Sequence, residues 1–147
     1  MQAREVLWRT LRNRREVAHC AGLAPMPYAS GESPHEQGIS WASCPITQNG
    51  CVRIMSHQGY PNALPVRALM ERLAEASASS FHEFWPDDIS LLDEERVDAA
   101  RIHGPRQLTD LYLLALAVRH GGRFVTFDHS VSVEAIEGAK TKDTVAL

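Results

Sequence analysis

No aspartate occurs before Asp87 in this chain, so any chemistry that needs paired aspartates must draw them from its later part. Cysteine is scarce as well. Cys20, Cys44 and Cys51 are odd in number and lack metal-ligand spacing, which argues against a disulfide or zinc framework and for reduced thiols in a cytoplasmic protein. No apolar run is long enough to span a bilayer, and no charged n-region precedes an apolar h-region, so neither a membrane span nor a secretory signal is expected. Positive charge is not in excess either. The net charge of −3 gives no general nucleic-acid footprint, so a polyanion would have to be met by a local patch or a metal ion. There is no internal repeat, and 147 residues suffice for one compact domain.

Periodicity is missing from the beginning of the chain. Arg4, Arg9, Arg12, Arg14 and Arg15 make the start basic, and the run from Gly22 to Pro34 is rich in Gly, Pro and Ser. No strand can be read there, so residues 1–37 are expected to be a poorly ordered segment, with a basic arm for RNA or a partner as the functional alternative. Residues 38–139 are then the folded domain and 140–147 a polar tail.

The most informative stretch runs from Leu108 to Asp128. Leu111, Leu113, Leu114, Ala115, Leu116, Ala117 and Val118 predict a helix buried on most of its circumference, with Thr109 as its cap and Asp110 in its first turn. Gly121 and Gly122 end it after Arg119 and His120. Arg123 to Phe127 then reads as a buried strand closed by Asp128. A helix of about ten residues and a strand of about five cover similar lengths, roughly 15 Å, so the turn returns Asp128 to the edge from which Asp110 started. Two carboxylates would thus meet at the carboxyl edge of a parallel sheet, a usual place for a site in an open α/β fold. The plainer reading makes Asp110 a helix N-terminal acid and Asp128 a turn residue.

Upstream, residues 39–42 read as a strand and Ser43-Cys44-Pro45 as a helix start, followed by Ile46, Val52, Ile54 and Met55. Val66, Leu69, Met70 and Leu73 recur at helical spacing, with Arg67, Glu71, Arg72 and Glu75 on the solvated face. Phe81, Phe84 and Trp85 are expected in the core. Residues 89–92 read as a short strand or extended segment, Asp93 to Ile102 as a helix, and Val131 to Ile136 as a short helix or strand.

Four segments together resemble the PIN-domain ribonucleases, specifically the VapC toxins of toxin–antitoxin pairs. They are Trp41 to Gly50, Phe84 to Asp88, Arg106 to Ala117, and Phe124 to Asp128, covering roughly the last three quarters of the chain. The resemblance implies an α/β fold, a PIN-like parallel sheet flanked by helices. It implies acidic side chains at the sheet edge that hold Mg2+ or Mn2+ for RNA hydrolysis. Asp110 and Asp128 match two of those acids as catalytic metal ligands. Gln48 stands where the family often has Glu and is the third catalytic candidate by that match: its amide oxygen can accept hydrogen bonds from metal-bound water, but it brings no charge. Arg106, His129 and Ser130 are placed by proximity in sequence as phosphate contacts, with ordinary loop roles as the alternative.

Further expectations follow from the resemblance: a VapB-type antitoxin, an RNA substrate, a homodimer, a cytoplasmic location and no membrane. The family also opens with a strand carrying a metal-site Asp, close to Asp-Val-x-x-Leu-Ile-Ala, and residues 1–37 contain nothing like it. The first strand is therefore missing or altered. A reading-frame change near His35 to Ile39 would account for this, since the codons of Arg14 to Pro25 read one base later permit such a strand. The competing function is a catalytically inactive PIN-like remnant that binds an antitoxin or RNA.

Overall fold

A helix whose apolar residues leave no polar face must be covered on most of its circumference, and Leu111 to Ala117 is buried in that way apart from the half-buried Tyr112. The computed structural model describes residues 4–7, 40–126 and 128–146, and the chain divides into two units, Leu11–Phe84 and the combination of Met1–Thr10 with Trp85–Leu147. The strands are β1 (Arg4–Leu7), β2 (Trp41–Ser43), β3 (His82–Phe84), β4 (Gly122–Thr126) and β5 (Thr144–Ala146). The α-helices are α1 (Pro45–Met55), α2 (Val66–Ser77) and α3 (Leu108–Arg119).

In the unit containing the C-terminus, β4 pairs in parallel with β1 on one side and β5 on the other. The registers set Val6 opposite Phe124 and Val125 opposite Val145. Helix α3 packs on β4, and its Leu111, Leu113, Leu114 and Leu116 are fully buried. Each contributes about 1.5–3 kcal/mol through removal of apolar surface from water. Gly121 ends the helix at φ 67°, a left-handed conformation that glycine adopts without steric cost, as the sequence predicts. A second clasp joins the loop after β3 to the end of α3. Asp88 accepts from Arg119 Nε at 2.7 Å and meets His120 Nε2 at 3.1 Å, while the His120 ring stacks on buried Trp85 with centroids 4.8 Å apart.

In the other unit, β2 and β3 pair in parallel, Trp41 opposite His82 and Ser43 opposite Phe84. Thr47 starts α1 by reciprocal bonds with Cys44: its Oγ1 accepts from the Cys44 N–H at 2.8 Å and donates to the Cys44 carbonyl at 2.9 Å. Cys51 and Met55 of α1 and Leu69 of α2 form a small core with Tyr60, flanked by Ile54 and Leu64.

Several expectations are corrected. Residues 4–7 form β1 although no strand is legible there, because four residues offer too little alternation to register a period. The same holds for β5, which lies in the expected polar tail, and for β3. Asp93 to Ile102 is not one helix. Buried Val97 instead bridges Ile136 in antiparallel fashion, and only Ala99–Arg101 forms a 3-10 turn, capped by Asp98. Residues 89–92 form no strand and end in a turn. Thr109 is not the cap of α3, because a 3-10 turn at Pro105–Gln107 runs directly into the helix at Leu108. Trp85 is in the core as expected, whereas Phe84 is 50% exposed. The alternative-frame strand at residues 14–25 lies outside the described residues.

Candidate functional site

Asp110 occupies the first turn of α3 and is 1% exposed. An acid whose only task is to favour a helix N-terminus sits in water, because taking a carboxylate out of water is costly. Asp128 follows β4 by two residues and is half-buried. Its backbone N–H donates to Thr126 Oγ1 at 3.0 Å, and its Oδ1 accepts from the Ser130 N–H at 2.8 Å and from the Ser130 hydroxyl. Helix α3 rises about 18 Å and β4 runs back about 17 Å through a tight turn, so both carboxylates belong to one end of this unit.

Ser130 thus orients Asp128, and its own carbonyl accepts from Gln107 Nε2 at 2.6 Å. That bond ties the turn after β4 to the 3-10 turn Pro105–Gln107, on which Arg106 is exposed. His129 is exposed in the turn between Asp128 and Ser130. The structure therefore gathers five of the six sequence-derived residues within one unit. Gln48 belongs to the other unit, Leu11–Phe84.

There Gln48 is held by a relay. Its Nε2 donates to Ser43 Oγ at 3.0 Å, and Ser43 Oγ lies 2.8 Å from His82 Nε2. The His82 ring sits 4.3 Å from that of Trp41, and burial pushes its pKa below the ordinary imidazole value, more than a hydrogen bond to the Ser77 backbone and the charge of Glu83 raise it. In the neutral ring that donates to the Ser77 carbonyl, Nε2 accepts the Ser43 proton. Ser43 in turn accepts from Gln48, which leaves the Gln48 carbonyl oxygen to point elsewhere.

Sequence reasoning did not single out Thr126, Ser43 or His82. Thr126 and Ser130 were detectable, since Thr or Asp two residues from a backbone N–H is the spacing of a local side-chain turn. Ser43 and His82 are 39 residues apart and meet only through strand pairing, which leaves no local signal.

The oxygen donors of Asp110 and Asp128 suit a hard divalent cation, and Mg2+ is commonly held by one or two carboxylates with the remainder supplied by water and substrate. Among the described residues no group of three or more His, Cys, Asp or Glu side chains is placed to hold a metal. No described helix is long and apolar enough to cross a membrane.

Comparison with known proteins bears on these features. No family profile and no solved structure matches the chain. Ribonuclease VapC44 of Mycobacterium tuberculosis (strain ATCC 25618 / H37Rv) is 51% identical over 106 residues, covering 72% of this chain and 74% of its own. Ribonuclease VapC39 of the same strain is 38% identical over 99 residues, covering 67% of this chain and 71% of its own. A third similarity is of another kind: a protein named as a transposase, y4rJ of Sinorhizobium fredii (strain NBRC 101917 / NGR234), is 51% identical over 45 residues, 27% of this chain and 11% of its own. Parallel strands flanked by helices, a buried Asp110 opening α3 and this degree of identity to VapC44 establish that the chain belongs to the VapC family of PIN-domain ribonucleases.

Proposed function

We propose that the chain is the toxin of a toxin–antitoxin pair and hydrolyses RNA phosphodiesters with the help of Mg2+ or Mn2+. The observation that carries this reading is the burial of Asp110 at the same end of the unit as an Asp128 already oriented by Ser130. Asp110 and Asp128 would hold the cation. When bound, it would lower the pKa of an attacking water and offset charge developing on the phosphate. The chain's own residues do the rest. Ser130 and Thr126 fix Asp128, and Arg106 and His129 are exposed donors for phosphate oxygens.

The proposed partners are an RNA substrate, a second copy of the chain and a VapB-type antitoxin. A basic side chain of the antitoxin would neutralise the same carboxylates. The proposed location is the cytoplasm.

The test is a calorimetric titration of Mn2+ into the folded chain and into Asp110→Asn, followed by magnesium-dependent RNA cleavage. Saturable binding and cleavage by the wild type, both lost in the variant, are expected. Unchanged cleavage in the variant would reject the assignment.

A second reading, antitoxin or RNA binding without cleavage, is favoured by β1. Its only carboxylate is Glu5, which pairs with Arg123 at the start of β4. That register leaves Glu5 about 16 Å of extended chain away from Asp128. β1 therefore supplies no acid at the Asp128 end. Antitoxin binding by a folded protein that binds no Mn2+ would establish this reading over the first.

A further inference from the structure

We infer that the chain joins two lineages, and that β1, drawn from a transposase-like first quarter, takes the position against β4 that the toxin family's own first strand would fill. The inference rests on family membership and not on the catalytic reading.

The extents of the similarities carry the first half of the inference. VapC44 matches 72% of the chain, and the toxin-like motifs begin at Trp41. The transposase matches 27%, close to the share that the toxin relative leaves. The sequence changes character at the same place: a basic start and a Gly-, Pro- and Ser-rich run without a period give way to segments with apolar periodicity from Trp41 onward. An out-of-frame reading of a toxin gene offers no reason for about half of the aligned positions to match a transposase. A junction of two in-frame segments does.

The sheet carries the second half. Phe124, Val125 and Thr126 of β4 are all buried, so the N–H and C=O groups on both its sides need partners within the protein. β5 meets one side, and β1 meets the other over four residues in parallel register, Arg4 to Gly122 through Leu7 to Val125. Main-chain pairing is indifferent to lineage. An added strand needs only extended residues able to satisfy the ladder, and Val-Leu suits a half-buried pleated surface. The replacement restores the hydrogen bonding of β4 without restoring a carboxylate at its end.

Hydrogen exchange read by mass spectrometry on the full chain is the direct test. Amides within residues 4–7 are expected to exchange at least about a hundredfold more slowly than in a free peptide of the same sequence. Exchange at the free-peptide rate would overturn the strand assignment. The double substitution Glu5→Pro with Val6→Pro places one missing donor on the β4 side, because successive N–H groups face opposite neighbours. It should lower the melting temperature by about 5 °C or more and deprotect residues 124–126. A variant that keeps both would overturn the assignment, and if it does not fold at all, the wild-type exchange still decides.

The lineage half is tested at the nucleotide level. Differences from the transposase gene across the codons of the first quarter should concentrate at third positions. An even spread over the three positions, or an intact Asp-bearing strand encoded in another frame of those codons, would overturn it. Neither outcome depends on whether the chain cleaves RNA or binds metal.

Discussion

Helices α2 and α3 each contain twelve residues and are used in opposite ways. Seven residues of α3 are buried, Asp110 among them, whereas in α2 only Leu69 is. The difference lies in periodicity and not in helix propensity. The run from Leu111 to Ala117 offers no polar face, so α3 is stable only when surrounded. Its first turn then takes Asp110 out of solvent with it. Helix α2 alternates Val66, Leu69 and Met70 with charged residues and leaves Val66 50% and Met70 58% exposed. A surrounded helix can hold a carboxylate in the interior, while a surface helix can only present side chains to water.

Truncation should expose this contrast most strongly. Leu114→Ala is expected to cost about 4 kcal/mol in urea unfolding, because Leu114 is fully buried on a helix with seven buried residues and a cavity remains. Leu69→Ala, equally buried but in a small core with partly exposed neighbours, should cost about 2.5 kcal/mol. Equal losses at the two sites would mean that the core of the Leu11–Phe84 unit is as rigid as that around α3. Asp110→Asn tests the other consequence. It should remove Mn2+ binding while leaving the far-UV spectrum of α3 in place.

Effects at the ends of the helices should be smaller. The Arg119 guanidinium, with the His120 ring beside it, holds the Asp88 carboxyl below its ordinary range. A depressed folded pKa gives stability that is present above the unfolded value and is lost as pH falls through the folded one. Because the pair is partly exposed, Asp88→Asn should cost under about 1 kcal/mol at pH 7, and the cost should vanish in acid melts below the carboxylate range. Met70→Ala on α2 should change stability by about 0.5 kcal/mol or less.

What could be read from sequence follows the same division. Helix α3, its glycine stop at Gly121, the Pro45 start of α1 and the periodicity of α2 are written in windows of ten residues or more. β1, β3 and β5 are three or four residues long, and their existence depends on the partners that pair with them. Asp110 and Asp128 could be singled out as candidates because the residue types and the turn between them are local. The burial of Asp110 was implied by the apolar run that follows it. The Gln48 relay was not legible, because Ser43 and His82 are brought together only by the parallel pairing of β2 with β3.

That relay gives the smallest expected effect and separates the two ways of fixing a polar group. Asp110 is held by burial, whereas Gln48 is held through a ring that titrates. Burial lowers the His82 pKa from 6.5, so between the lowered value and 6.5 the unfolded chain binds more protons than the folded one. Stability should therefore fall as pH drops through that window, and His82→Gln should remove this part of the pH dependence of the urea midpoint. A proton on Nε2 would also turn the ring from an acceptor into a donor toward Ser43. Ser43 Oγ would then accept from both His82 and Gln48, and its own proton would lose its partner. Side-chain amide resonances of Gln48 should shift with the same midpoint as the His82 ring. Amide resonances that do not move while His82 titrates would mean that Ser43 does not transmit the ring's protonation state to Gln48, and that the carboxamide is oriented by other contacts.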